Sequence, residues 1–396
     1  MEVEQQNQNN REGGAQVVLC LQPSSSISIA YHPSFGPHDD LMLLEVDEKL
    51  LSDILDQKVT LRGQPNEDAV LCTPSKTYVV KFVGTSNSVL LIPPSDQFAY
   101  DCDEKDSGEM EVASVIKVAP GCMELVEVAP RLDKLKFLLS ENLYSFYEAS
   151  QMDVSEGVEK CDVGLYRWED LVHRIQASDM ELRSGLEALF AVEINGYWRI
   201  LDEDYKDGIL NMLLHNSVLN DWSFDALGED EVVAVLVADG FPGQIARHCL
   251  QIYGSKADEG IGGSCIWRLD ERRVCVHFAK RILRGGKMRL ENFMEEWMKK
   301  APEGMRATFD MLEGEVLSEK IGIETWIYAF SISTLPSTPT ERFSILFKER
   351  TKWEWKDLDP FVRDLEVPGL SSEGLLLKYT RRTQPTMDAE PIFTAR

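Results

Sequence analysis

The sequence predicts an α+β multidomain protein, with a β-barrel-type domain in its first third and three tandem winged helices behind it. Three observations lead there. Short runs of β-forming residues, punctuated by Pro, Gly, Asn and Asp, fill residues 16–130. Beyond Pro130 the apolar period changes from 2 to 3.6. Between Trp168 and Leu201 a helix, a capped turn, a second helix and a tight hairpin succeed one another, and that order recurs twice more toward the C-terminus.

In chain order, residues 1–15 are rich in Gln, Asn, Glu and Gly and are expected to be a disordered tail. Strands are expected at 16–21, 26–30, 41–46, 58–61, 69–73, 77–83, 88–92, 112–118 and 123–128, with one short helix at 47–55. The acidic run 101–111 reads as a solvated loop between strands. Leu132, Leu135, Leu138 and Leu139 begin a helix, and the polar, acidic stretch 148–162 reads as a linker.

The first winged unit has the clearest local signals. Trp168, Leu171, Val172 and Ile175 share one helix stripe. Ser178 and Glu181 have the spacing of a capping box, and Leu182, Leu186, Leu189 and Phe190 supply the next helix's buried face. Asn195-Gly196 tolerates the positive φ of a type I′ turn between two short strands. Trp198-Arg199-Ile200 is echoed 69 residues later by Trp267-Arg268-Leu269, with Asp-Glu following each. In the second unit, helices are expected at 231–238 and after Pro242, with Ile245, Cys249 and Ile252 on one face. In the third, Leu290, Phe293, Met294 and Trp297 form a stripe, Met305, Phe309 and Leu312 a further helix, and Trp326, Tyr328 and Phe330 a strand. The expected domains are therefore 16–130, 131–205, 206–286 and 287–396, the last with a basic tail.

Composition narrows the function. A length of 396 residues suggests several cores, and 43% hydrophobic with 9% aromatic residues is the make-up of a globular protein. No apolar run approaches the roughly 20 residues that span a bilayer, and the polar start of the chain predicts an intracellular protein. The eight cysteines are scattered and read as reduced structural thiols; Cys275 and His277 are at most two ligands, so no metal is expected. A net charge of -26 confines any DNA contact to a local patch and favours protein partners.

Catalytic motifs fail on inspection. Gly285-Gly286-Lys287 lacks the rest of a phosphate loop, Gly260, Gly262 and Gly263 do not complete a dinucleotide fingerprint, and the six histidines do not cluster. Neither catalysis nor a cofactor is expected, which leaves binding surfaces. Asp179, Glu181 and Glu187 give the second helix of the first winged unit a negative face suited to a protein partner rather than a DNA groove. On a helix expected at 270–283, Arg273 and Lys280 form one basic stripe, which Arg284 and Lys287 join if the helix extends, and for which a solvated face is the simpler account. Lys378, Arg381 and Arg382 form another, with Lys299 and Lys300 as further candidates for phosphate contacts.

Several blocks resemble a known family in its order. They include Arg62-Gly63, Ala69-Val70-Leu71-Cys72, Lys76-Thr77-Tyr78, the run from Thr85 to Pro93, and Ile175-Gln176-Ala177-Ser178. Gly196-Tyr197-Trp198-Arg199, Pro302-Glu303-Gly304-Met305, Glu341-Arg342-Phe343 and Leu376-Leu377-Lys378-Tyr379 continue the series. The chain resembles the Dcc-type sister chromatid cohesion subunit of the alternative replication factor C-like clamp loader. That resemblance implies a nuclear, non-catalytic adaptor at replication forks, supporting sister chromatid cohesion and sliding-clamp loading. It implies a β-barrel domain completed by the large and small chromosome-transmission-fidelity subunits, and three winged helices. It also implies attachment to the catalytic subunit of DNA polymerase epsilon, DNA contact through the last winged helix, and indirect association with the replication factor C small subunits and the clamp. Val70, Tyr78, Val89 and Leu91 are then the expected partner-subunit contacts, Asp179, Glu181 and Glu187 the polymerase contacts, and Lys299, Lys300, Lys378, Arg381 and Arg382 the DNA contacts. The tail and the linker match no motif of the family. A winged-helix transcriptional regulator, binding DNA as a soluble homodimer, is the competing reading.

Overall fold

A computed structural model describes residues 28–56, 58–92, 112–147, 164–257, 265–365, 369–384 and 390–396. The N-terminal tail, the strand expected at 16–21, the acidic loop 101–111, the linker 148–162 and the glycines around 260 lie outside them. Two compact units result, one from residues 1–57 with 79–126 and the other from 58–78 with 127–396.

The first elements are β1 (Ser28–Tyr31), α1 (Glu48–Leu55), β2 (Thr60–Arg62), β3 (Val70–Cys72), β4 (Thr77–Leu91), β5 (Val112–Val115) and β6 (Lys117–Val128). In the first unit β1 runs parallel to β5, with Ser28 opposite Val112, and β4 pairs with β6. Asp47 caps α1, its carboxylate accepting from the Lys49 amide at 3.2 Å. In the second unit β2 and β3 are antiparallel, and the Thr73 amide closes the turn into β4 on the Lys76 carbonyl. Each of these sheets keeps free edges, so the described residues form no closed barrel.

The strands expected separately at 77–83 and 88–92 are one, because β4 stays extended through Gly84, Thr85, Ser86 and Asn87. Its long partner β6 likewise runs straight through Pro120 and Gly121, so cross-strand pairing overrides local turn preference. Gly121 is required there, since a Cβ would sit 2.1 Å from the Val83 carbonyl oxygen. The strand expected at 41–46 reduces to a single parallel bridge from Leu44 to Met123.

The second unit goes on as a recurring order of helix, strand, two helical turns and two strands. The first instance has α2 (Asp133–Ser140), α3 (Trp168–Arg174), α4 (Asp179–Ala188), β7 (Val192–Ile194) and β8 (Tyr197–Arg199), its early strand reduced to bridges at Tyr144 and Tyr166. The second has α5 (Glu203–Leu219), β9 (Leu227–Gly228), α6 (Glu229–Ala238), α7 (Gly243–Tyr253), β10 (Gly254–Lys256) and β11 (Ile266–Leu269). The third has α8 (Glu271–Leu283), β12 (Met288–Arg289), α9 (Leu290–Lys300), a 3-10 turn at Phe309–Leu312, β13 (Val316–Ile321) and β14 (Glu324–Ala329). A fourth follows, with α10 (Pro339–Glu349), β15 (Lys352–Glu354), α11 (Trp355–Leu358), α12 (Ser372–Tyr379), β16 (Thr380–Thr383) and β17 (Ile392–Ala395). In repeats two to four the last strand is central in its three-stranded sheet, flanked by the other two.

Local chemistry explains the regularity. Ser178 accepts from the Glu181 amide at 3.3 Å while Glu181 accepts from the Ser178 amide at 2.8 Å, completing the capping box. Asn195 and Gly196 adopt φ of 53° and 84° and close the β7–β8 hairpin with Ile194 opposite Tyr197. The echo of Trp198 in Trp267 marks the same closing strand, and the Asp after each caps the first helix of the next repeat: Asp202 accepts from Tyr205, Asp270 from Arg273. The helix expected around Met305 is only a single 3-10 turn. Extended Thr308 and left-handed Gly314, with φ of 77°, limit it on both sides.

Leu135, Leu171, Ile175, Leu182 and Leu186 form the core of the first repeat. One continuous core underlies repeats two and three, from Tyr205 to Ile327, and takes in Tyr144, Ile194 and Leu201 of the first repeat, while the fourth has its own around Phe343, Trp353 and Phe361. Asp133 on α2 accepts from the Ser337 amide and hydroxyl, so the first repeat also touches the loop between repeats three and four.

Candidate interaction surfaces

The acidic helix α4 is occupied at its N-terminus by the hairpin that precedes it in the chain. Arg62, 9% exposed, donates to the Ala177 carbonyl at 2.5 Å and pairs with Asp179. Thr77 donates its hydroxyl proton to Glu181 at 2.6 Å and accepts from the Ser178 amide at 2.9 Å. Gln64 and Gln176 cross the same joint to the carbonyls of His173 and Asp68. Of the three acidic candidates, Asp179 holds Arg62, Glu181 serves the cap, and Glu187 lies exposed. The sequence reading missed Arg62 and Thr77, whose partners lie more than 100 residues away; only their place in the family-like blocks marked them.

Val70 and Tyr78 are buried inside the second unit, at 1% and 8% exposure. Val89 is exposed on the far part of β4 and Leu91 is half-buried. The first unit also presents Ile29, Tyr31, Met42 and Phe82, each more than half exposed. So many large apolar side chains facing water in so small a unit is costly unless another chain covers them. A further bare tip, Ile321 and Ile323 at the β13–β14 turn, carried no sequence signal because both sit among charges.

α8 ends at Leu283, so Arg284 and Lys287 lie past the helix, and the cations on and after it are spent inside the chain. Arg273 donates to the carbonyls of Gln251, Ile252 and Gly254 at the end of α7, Lys280 pairs with Glu315 at 2.8 Å, Arg284 with Asp204 at 2.7 Å, and Lys287 with Glu319. Lys299 is exposed and pairs with Glu295 at 2.6 Å; with Lys300 it borders a cleft of about 730 Å³ that also meets Trp222, Phe278 and Arg281. Lys378 ends α12, while Arg381 and Arg382 are neighbours on β16, which places them on opposite faces of an edge strand; all three are exposed.

The titratable groups inside the second unit hold repeats together. His277 is buried with its Nε2 3.2 Å from Asp207 and its Nδ1 2.9 Å from the Tyr253 hydroxyl. A carboxylate only accepts, so Nε2 carries the proton and Tyr253 donates to Nδ1. Burial pushes the imidazole below its ordinary range, against the opposing pull of Asp207. Burial also raises the Tyr253 phenol far above its usual value and the Cys275 thiol to about 11, so neither supplies a nucleophile near neutrality. The stability contributed by neutral His277 is complete above the unfolded imidazole value of 6.5 and is lost as pH falls through the lower folded value. Thermal melts of His277→Gln are therefore expected to fall less steeply from roughly pH 7 to 5 than those of the unaltered chain; parallel curves would remove His277 as the group responsible.

Among the described residues, Glu45, Cys122 and Glu124 bring three potential ligand atoms within 4.8 Å. Burial and the neighbouring Glu45 hold that thiol above its ordinary range, and acidic groupings are common in so acidic a chain. No helix of the described residues is long and apolar enough to cross a membrane.

A family model described as "Sister chromatid cohesion protein Dcc1" matches residues 41–362. The sister chromatid cohesion protein DCC1 of Xenopus tropicalis is 34% identical over 348 residues, covering 86% of this chain and 86% of that protein. Its Homo sapiens counterpart is 33% identical over 349 residues, covering 86% and 85%. The Saccharomyces cerevisiae protein of the same name is 23% identical over 401 residues, covering 94% and 100%.

Proposed function

Because the chain belongs to the Dcc1 family of sister chromatid cohesion proteins, we propose that it is a non-catalytic adaptor subunit of the alternative replication factor C-like clamp loader, acting in the nucleus. The observation that carries the reading is the apolar surface of the first unit, where Ile29 and Tyr31 on the edge strand β1, Phe82 and Val89 on the part of β4 beyond the three-residue β3, and Met42 between β1 and α1 face water. Such strands supply both unpaired backbone groups and apolar area to an added chain. We assign this surface to the small and large chromosome-transmission-fidelity subunits, which would complete a composite barrel around it. Val70 and Tyr78, buried in the second unit, would serve its own fold, and Val89 and Leu91 would meet the partner. Expression alone and with the small subunit tests the idea. As concentration rises the chain alone should self-associate and the pair should stay soluble at 1:1; a chain that stays monodisperse and ignores the partner would overturn it.

We read each recurring unit as a winged helix, four of them at roughly 133–201, 203–269, 271–329 and 339–395, rather than the three expected. The shared strand order supports this. The first would attach the loader to DNA polymerase epsilon. With Asp179 and Glu181 engaged in the joint, exposed Glu187 is the acidic contact to reverse. Glu187→Lys should weaken polymerase capture at low salt without lowering the melting temperature; unchanged capture would leave that face as solvated surface.

The last unit would contact DNA through Lys378, Arg381 and Arg382, with Lys299 and Lys300 of the third unit secondary. A loader acts at any sequence, so phosphate contacts suffice. Replacing the first three by Gln should weaken binding equally for all duplexes and reduce the salt slope by up to about three units. If affinity and slope both persist, DNA is held elsewhere.

A further inference from the structure

We propose that Thr338 is a site of proline-directed phosphorylation, and that its phosphate opens the clasp between the loop 331–338 and the first repeat. The sequence has two Thr-Pro pairs and no Ser-Pro pair. Thr73 of the first is 4% exposed, and its hydroxyl is committed to the turn into β4, accepting from the amides of Ser75 and Lys76. Thr338 of the second is exposed and extended, with φ of -75° and ψ of 124°. Its hydroxyl makes one described bond, to Glu341 at 2.7 Å. Pro339 favours the extended form at the residue before it, so the segment already has the shape in which kinases take up substrates. In the reaction the Thr338 hydroxyl oxygen attacks the γ-phosphorus of ATP. The new O–P bond forms as the bond to ADP breaks, and the hydroxyl proton passes to the kinase's base.

The surroundings decide what the phosphate does. It adds about two negative charges. The Glu341 carboxylate, which now accepts from the Thr338 hydroxyl, would face it directly. One residue away, Asp133 accepts from the Ser337 amide at 3.0 and 3.2 Å and from the Ser337 hydroxyl at 2.6 Å. Both nearby acids repel the new charge. Two cations that bond to this loop are committed: Lys136 donates to the Ser333 carbonyl, and buried Arg342 donates to the carbonyls of Pro336 and Phe361 and pairs with Asp364. Thr338 caps α10, whose N-terminus attracts the phosphate, so relief comes by moving the loop away from Asp133, which releases α2 from the loop before the fourth repeat.

The test treats the full chain with ATP and a proline-directed Ser/Thr kinase, maps the phosphate by mass spectrometry, and follows amide exchange. Phosphate is expected on Thr338 in the unaltered chain and in Thr73→Val, absent in Thr338→Val, and restored on the hydroxyl of Thr338→Ser. Peptides spanning Ser337 should then exchange about tenfold faster, the loss of a bond to a charged acceptor. Asp133→Ala should reach the same rate without phosphate and gain nothing further from it. Failure of the folded chain to accept phosphate at Thr338, while the free 331–344 peptide does, would overturn the site. Unchanged or slower exchange after stoichiometric modification would overturn the opening, with Lys136 drawn to the phosphate as the reason for slowing.

Discussion

Trp297→Ala is expected to cost about 3–5 kcal/mol, the usual range for a fully buried Trp or Phe reduced to a methyl group. Trp297 is 0% exposed on α9, stacks on Phe293 at 5.4 Å, and donates its indole proton to the Cys275 carbonyl on α8 at 2.7 Å. The change would leave a cavity and an unsatisfied carbonyl together, in the core that repeats two and three share. The loss should therefore reach both repeats rather than one. Denaturant unfolding followed by amide exchange should show early opening across α5 to β14. The control is the neighbouring Met298→Ala, at a 57% exposed position, which should be nearly neutral. Equal midpoints for the two variants would mean that Trp297 does not bear on that core.

Val89→Asp should abolish capture of the small chromosome-transmission-fidelity subunit while the chain alone keeps its structure. Val89 is 36% exposed, so a carboxylate there stays solvated in the free chain. Covered by a partner it would be an unpaired buried charge, which costs several kcal/mol, or an affinity loss on the order of a thousandfold. Leu91→Asp is a less clean probe because Leu91 is already half-buried, and Val70→Asp would disrupt the chain itself at 1% exposure. Co-purification with and without the substitution decides the matter, circular dichroism guarding against misfolding. Undiminished 1:1 recovery of the partner would remove the far part of β4 from the interface.

What the sequence determined by itself was everything fixed within about four residues. The Ser178–Glu181 box, the Asn195-Gly196 turn and the helix stripe Trp168, Leu171 and Val172, with Ile175 buried just past the helix end, are local matches of side chain to backbone, so they could be read in order. The Trp-Arg echo was legible too, and the Asp after each instance shows why: it caps the helix that opens the next repeat. Tertiary structure alone decided the rest, because its terms lie between residues far apart in the chain. β4 stays extended through a segment of turn formers because β6 pairs with it. Asp179 and Glu181 read as an open acidic face until Arg62 and Thr77 are seen to occupy them, and the cations on and after α8 as an open basic one until Glu315, Asp204 and Glu319 do. The fourth repeat was hidden for the same reason. α11 has only four residues, too short to show a period, and its unit holds together through Phe343, Trp353 and Phe361, whose meeting is set by packing and not by spacing.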